Sequence, residues 1–493
     1  MVTDQIEHRI RMIMREELEA WEPPDDDDDD GEPPDSGDPI TGFDFMGHGA
    51  KTIGGRDGEV VLVTHTADDT SEPGSLRSAL TRKNPAYIIG RIGGEFNLKT
   101  KIPLRARKTF AGQTFPGSGA ILSGQRITNR INQFIMTYVT HRTGYGSNYG
   151  LSMKSSDDGA RNAMIDHCSF AGGEDDTLGI WYSQSSEGEH VFPDIENITM
   201  QNCIIAEPDP GHPTSLVIGG KHNLPKGIMG GYDHVKRISI LRNLWIHSSH
   251  RNPRFMQLQF GECINNLVCN FRSRAAETGR GAKVDYIGNY YRGGPMTGTK
   301  IVIGFEWSDT KFNSGLVFPD SSIYVSGNIS EFTGFIDPNA DNWVLMMTKE
   351  SGNKGNPVDL KHRRVTPLPP APIPTIVLPG LGVPDHVTET AGNSKKINSL
   401  GEFVDRRDSA DQKLIKDARE QTGPDSPSNV TTTRPSSYES GTPYPMTMPD
   451  GIPDDIKDKF GIPLTTDLNH VLNPATGKLW IEDFLFGRLA ARS

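Results

Sequence analysis

Short bursts of alternating apolar and polar residues, separated by Asn, Gly and Asp, dominate the chain from Gly42 to about Trp343. They read "EVVLVT", "YIIGRI", "ENITMQNCII", "KRISILRNLWI", "ECINNLVCNF", "AKVDYIGNYY" and "SSIYVSGNI". Alternating runs this short do not complete an amphipathic helix and predict strands. Bursts centred near Ile198, Ile238, Ile264 and Val284 stand 40, 26 and 20 residues apart, the step of one β-coil or, with an inserted loop, of two. That period predicts a parallel β-helix, in which each coil buries its inward residues only by stacking on its neighbours. A β-sandwich is the competing all-β reading. The scarcity of Asn-Gly and Asp-Gly between strands counts against its hairpins.

The flanks follow other patterns. Ile6, Ile10, Ile13, Met14 and Leu18 make one stripe of an amphipathic helix. "EPPDDDDDDGEPPDSGDP" then ends it, and six consecutive aspartates between prolines stay extended and solvated. Eight prolines over 357–384 predict an extended segment. A helix near 404–420 follows, then a Ser/Thr/Pro linker and two short helical stretches. The expected organisation is an arm over 1–40, a β-helix over 41–345, a Pro-rich segment over 346–445 and a small helical module over 446–493.

Charge sharpens this division. The net charge is −12 over 493 residues, and residues 1–38 alone carry 15 acids against three bases (Arg9, Arg11, Arg15). The remainder is balanced, so the acidity belongs to the arm and a local basic site is compatible with it. No broad basic surface points to nucleic acid. No apolar run approaches the ~18 residues of a membrane span. The N-terminus lacks a secretory apolar core. Cys168, Cys203, Cys263 and Cys269 have no zinc spacing and are expected as buried thiols, with a Cys168–Cys203 disulfide as the alternative.

Three clusters could carry chemistry. "MIDHCSFAGGEDDTLGIW" brings Asp166, Glu174, Asp175 and Asp176 together in sequence, and Glu207 ends a strand further on. Stacked coils lie ~4.8 Å apart, so acids at matching positions would converge on a hard cation such as Ca²⁺. As turn caps and surface acids they would bind nothing. "HSSHRNPRF" places His247, His250, Arg251 and Arg254 around Pro253. The arginines could clamp a carboxylate in two-pronged fashion, or they could pair with neighbouring acids in a structural turn.

Read in order, "GFDFMGHGAKTIGGRDGEVVLVT", "EPGSLRSAL", "TFAGQTFPGSGAILSG", "IDHCSF…EDDTL", "RNPRF…CINNLVCNF", "VDYIGNYYRGGP" and "ADNW" resemble the pectate lyase superfamily, of the bacterial polysaccharide lyase family 1 type. "VDRRDSADQKLIKDAREQTG" and "DGIPDDIKDKFGI…WIEDFL" resemble its C-terminal helical segments. The resemblance implies an all-β, right-handed parallel β-helix with a small helical C-terminal extension, and the N-terminal helical and acidic arm over 1–40 lies outside it. It implies β-elimination in a 1,4-linked polyuronate, with Arg251 as the base that takes the C5 proton. Arg254, Lys226 and His250 would hold substrate, and Asp166, Asp175, Asp176 and Glu207 would hold Ca²⁺. Met256 stands where an arginine is common in the family. An acidic polysaccharide is therefore the expected partner, and a non-catalytic glycan-binding β-helix is the alternative. With no secretory segment, action on extracellular polysaccharide would need non-classical export or display on a virion tail spike. There the N-terminal helix would dock to a partner or self-associate as a homotrimer.

Overall fold

The computed structural model describes residues 45–69, 72–143, 149–156, 158–183, 192–220, 234–306, 320–348 and 355–489. The amphipathic stripe, the aspartate run and Lys226 lie outside these residues. Residues 39–493 form one compact unit.

Three parallel sheets of ten, nine and nine strands wind around one axis as a parallel β-helix. The five later bursts each resolve into two strands in adjacent sheets. Ile195–Gln201 is followed by Ile204–Ala206, Val235–Leu241 by Leu244–Ile246, and Gly261–Ile264 by Leu267–Cys269. The first of each pair lies in the ten-stranded first sheet, the second in the second sheet, and a third strand further on completes the coil.

The period is more regular than the sequence suggests. Ile238 stands opposite Gly261, and Gly261 opposite Val284, a coil of 23 residues. The uneven steps of 26 and 20 arise because Ile264 sits at the far end of its strand and pairs with Leu241.

The same step stacks asparagines at the turn between the first two sheets. Asn266 Oδ1 accepts from Asn243 Nδ2 at 3.0 Å, Asn289 Oδ1 from Asn266 Nδ2 at 3.0 Å, and Asn328 Oδ1 from Asn289 Nδ2 at 2.9 Å. All four are buried. The ladder satisfies turn amides that strands of neighbouring coils cannot reach.

Inside the coil, Ile88, Phe110, Phe134, Ile165, Ile198, Ile238 and Val284 belong to one continuous apolar core. Two outer faces are covered as well. Ile89, Ile135 and Met164 on the first sheet pack against Phe45 and the C-terminal Trp480, Ile481 and Phe484. Ile204, Leu244, Leu267 and Cys269 on the second sheet pack against Val383, Val387, Leu414 and Ala418.

These covering residues come from helices α1 (Val383–Thr390), α2 (Ser409–Glu420) and α3 (Trp480–Leu485). α2 begins five residues after the expected 404. Phe403–Asp405 pairs with Lys395–Ile397 as a small antiparallel ladder, and Asp408 caps the helix by accepting from Asp411 N. The Pro-rich stretch is irregular up to α1, as proline's missing donor requires.

All four cysteines are free and buried. The acidic "MPDGIPDD" turn closes on a lysine: Asp450 pairs with fully buried Lys457 at 2.8 Å. No helix among the described residues is long and apolar enough to cross a membrane.

Candidate active site on the third sheet

The outward positions of the third sheet differ from those of the other two. Along Arg254–Met256, Phe255 points into the core while Arg254 and Met256 point out. Arg254 stands beside Val217 on one side and Glu277 on the other. Met256 stands beside Gly279.

Just before this sheet, three consecutive coils supply Asp176, Thr214 and Arg251, with Thr214 pairing beside His250. Thr177 N donates to Thr214 O at 3.0 Å, and Leu216 N donates to Arg251 O at 2.9 Å. Arg251 Nη1 reaches both oxygens of Asp176 at 2.9 Å. The Thr214 hydroxyl donates to the same carboxylate. Residues 75 apart in sequence thus form one pair of a buried carboxylate and a half-buried guanidinium.

Burial lowers the Arg251 pKa, but Asp176 and Glu277 outweigh it, so the guanidinium is held more firmly protonated than usual. Burial raises the Asp176 pKa despite Arg251. Arg254 goes the other way: its burial dominates Glu277 and Glu306 and lowers its pKa.

One coil further, the network widens. Glu277, buried, lies 3.1 Å from Arg274 Nε, 3.7 Å from Arg254 Nε and 3.8 Å from His250 Nε2. Glu306 accepts from Arg280 at 2.6 Å and also pairs with Arg254. Arg251, Arg254, Arg274 and Arg280 therefore form a cationic stripe crossed by three carboxylates. Arg274, Glu277, Arg280, Glu306 and Thr214 were not found by sequence reasoning. The 23-residue step is the signal that finds two of them, since it carries Arg251 to Arg274 and Arg254 to Glu277.

The proposed calcium ligands do not converge. Asp176 is engaged by Arg251. Asp175 is half-exposed, accepts from the Tyr149 hydroxyl at 2.9 Å and lies 3.2 Å from His212. Glu207 turns to the C-terminal segment, accepting from Thr433 N at 2.6 Å and Thr433 Oγ1 at 2.7 Å.

Asp166 is at another corner of the coil. It ends a strand of the first sheet and accepts from Gln201 and Asn202 at 3.1 and 2.9 Å. A calcium ion takes six to eight oxygens. Among the described residues no three His, Cys, Asp or Glu side chains are grouped to hold a metal. The set Asp166, Asp175, Asp176 and Glu207 does not fit such an ion. Of the candidate residues, Arg251, Arg254, His250 and Asp176 are brought together, with Asp175 at the edge.

No family model matches the chain. Among curated proteins, it is 28% identical over 431 residues to probable pectate lyase C of Aspergillus fumigatus, covering 85% of this chain and 87% of that protein. Probable pectate lyase C of Emericella nidulans is 27% identical over 444 residues, covering 88% and 90%. Pectate lyase 1 of Cryptomeria japonica is 30% identical over 155 residues, 27% of this chain and 41% of that one. Among solved structures, a thermostable pectate lyase overlaps 71% of this chain and 97% of its own at 14% identity, with a TM-score of 0.47. The relatedness extends over most of the chain, and three parallel sheets wind around one core. The chain folds as a parallel β-helix and is similar over most of its length to curated proteins named pectate lyases.

Proposed function

We propose that the protein is a polysaccharide lyase that cleaves a pectate-like 1,4-linked polyuronate by β-elimination on the outer face of the third sheet. The observation that carries this reading is the stripe of Arg251, Arg254, Arg274 and Arg280 along consecutive coils. Such a row suits a chain of uronate carboxylates, which guanidinium groups bind in two-pronged fashion. The similarity to pectate lyases supports the same substrate class.

Arg254, Arg274 and Arg280 would exchange Glu277 and Glu306 for substrate carboxylates. That binding withdraws charge from the uronate and makes the proton on C5 easier to remove. Arg251 would take this proton, the C–H electrons would form the C4–C5 double bond, and the C4–O bond would break. The leaving oxygen then takes a proton from solvent. The demanding step is the first, because Arg251 must lose a proton while beside Asp176. Substrate that displaces Asp176 from Arg251 would ease it.

The same ion pair supports a second reading, a glycan-binding β-helix that does not cut. Purified protein incubated with polygalacturonate separates the two. Unsaturated product, followed by its ultraviolet absorbance, supports the lyase. Saturable binding with unchanged chain length supports the adhesin. Parallel reactions with added calcium and with a chelator read any metal requirement directly. The tail-spike reading rests on the 1–40 arm, and light scattering of the full chain tests it: a trimer supports it and a monomer contradicts it.

A further inference from the structure

The "IDH" motif takes no part in the third-sheet site, yet it lines a sizeable cavity. The cavity measures about 820 Å³, within the ~300–1,000 Å³ range of small-molecule sites. It lies where the turns after the first sheet meet the C-terminal segment, with walls from Asp166, His167 and Gln201 on one side and Lys395, Arg406 and Arg407, beside the acids Glu389 and Asp405, on the other. Tyr138 stacks on His167 at 4.8 Å with an interplanar angle of 11°, and Phe403 lies 5.4 Å from Tyr138. These rings give the cavity a flat apolar wall.

Two features point to a ligand. First, no carboxylate pairs directly with the cationic side of the wall, although Asp405, Asp408 and Asp411 act on Arg406 and Arg407 from further away. Arg406 donates to Phe115 O at 2.6 Å and Asn393 Oδ1 at 2.6 Å, and Arg407 donates to Glu389 O at 2.8 Å. Neither they nor Lys395 forms an ion pair with a carboxylate among the described residues, and the Nε of Arg406 is buried without an acceptor. Burying guanidinium groups without an anion is costly. Second, Asp166 is 1% exposed, and its Oδ2 is buried with no hydrogen-bond partner. It is an acceptor of the kind a hydroxyl would satisfy.

We propose that this cavity is a second binding site, for a small carboxylated sugar, separate from the third-sheet cleft. The carboxylate sits against Lys395, Arg406 and Arg407, a sugar face lies on the Tyr138–His167 stack, and a hydroxyl donates to Asp166. Choosing galacturonate as the probe rests on the lyase reading, whereas the cavity and its charges do not.

The test is isothermal titration calorimetry of the full chain with galacturonate and with neutral galactose. Galacturonate binds the wild type, and galactose binds at least tenfold more weakly. Lys395→Glu and Arg407→Gln each weaken galacturonate binding at least tenfold, while Arg251→Ala leaves it unchanged. Thermal melts confirm that each variant is folded. Lys395 is exposed, so its variant decides the matter if Arg407→Gln does not fold. Failure of the wild type to bind galacturonate overturns the proposal, as does binding that survives the folded variants or is lost in Arg251→Ala. Lyase activity is scored on the same preparations. An inactive wild type that binds through Lys395 upholds the cavity and removes the lyase reading, and an active one that does not bind does the reverse.

Discussion

The Arg251–Asp176 pair decides how the proposed reaction runs. Arg251 has φ 63, the left-handed region, but so do Tyr138, His167, Asn202, Arg242 and Asn265 at other turns. Its backbone is therefore a coil-turn conformation repeated along the molecule and carries no functional signal of its own. The carboxylate beside it does. Asp176 helps hold Arg251 protonated, so Asp176→Asn should lower the Arg251 pKa. The pH–rate profile then moves to lower pH, and the rate at a fixed pH on its rising limb increases roughly tenfold for every pH unit the profile moves. An inactive, folded Asp176→Asn would instead make the carboxylate a direct participant.

A second buried acid gives a pH effect on stability. Glu262 accepts from Ser239 at 2.6 Å, and burial, with Asp285 adding to it, pushes its pKa from 4.5 up to about 7. The folded state favours the neutral acid, so its contribution is complete below pH 4.5 and is lost as pH rises through about 7. Urea denaturation of Glu262→Gln against wild type should give a flatter pH dependence across that window. Parallel curves would contradict this account.

Among the elements, the asparagine ladder determines register. Asn266 accepts from Asn243 N and from Trp245 Nε1 and donates to Ile240 O and Asn289 Oδ1. Asn266→Ala leaves several of these groups buried without partners, so a loss on the order of 3 kcal/mol is expected. A melting temperature unchanged from wild type would show that water replaces the amide. The strands, their pairing by turns and the C-terminal helices were legible because short alternating bursts and asparagine turns leave few other folds. The coil period was blurred, since an apolar residue can sit at either end of its strand, as Ile264 does. The acids were the least legible. Asp166 and Asp176 are close in sequence, yet the second-sheet strand Ser169–Ala171 lies between them and leaves one at the first sheet's end and the other at the third sheet's start. Glu207 shares a turn stack with Asp176 but is claimed by Thr433, a contact 226 residues away that no spacing rule anticipates.

For the whole molecule, the division of labour follows from what covers each sheet. The N-terminal residues from Phe45 and helix α3 close the first sheet, and α1 and α2 close the second. The third presents arginines, glycines and Met256 at its outward positions. The cationic stripe is local and coexists with a net charge of −12, because the excess acid sits in the arm. Electrostatic steering of a polyanion toward the third sheet should weaken with salt. The central claim is that Arg251 is the base of a β-elimination. It is tested most directly by following unsaturated product from polygalacturonate with wild type and with folded Arg251→Ala. The account predicts steady product formation by the wild type and a loss of at least about a hundredfold, the order of a general base's contribution, in the variant. Equal rates in the two proteins, or no product from the wild type, would contradict it.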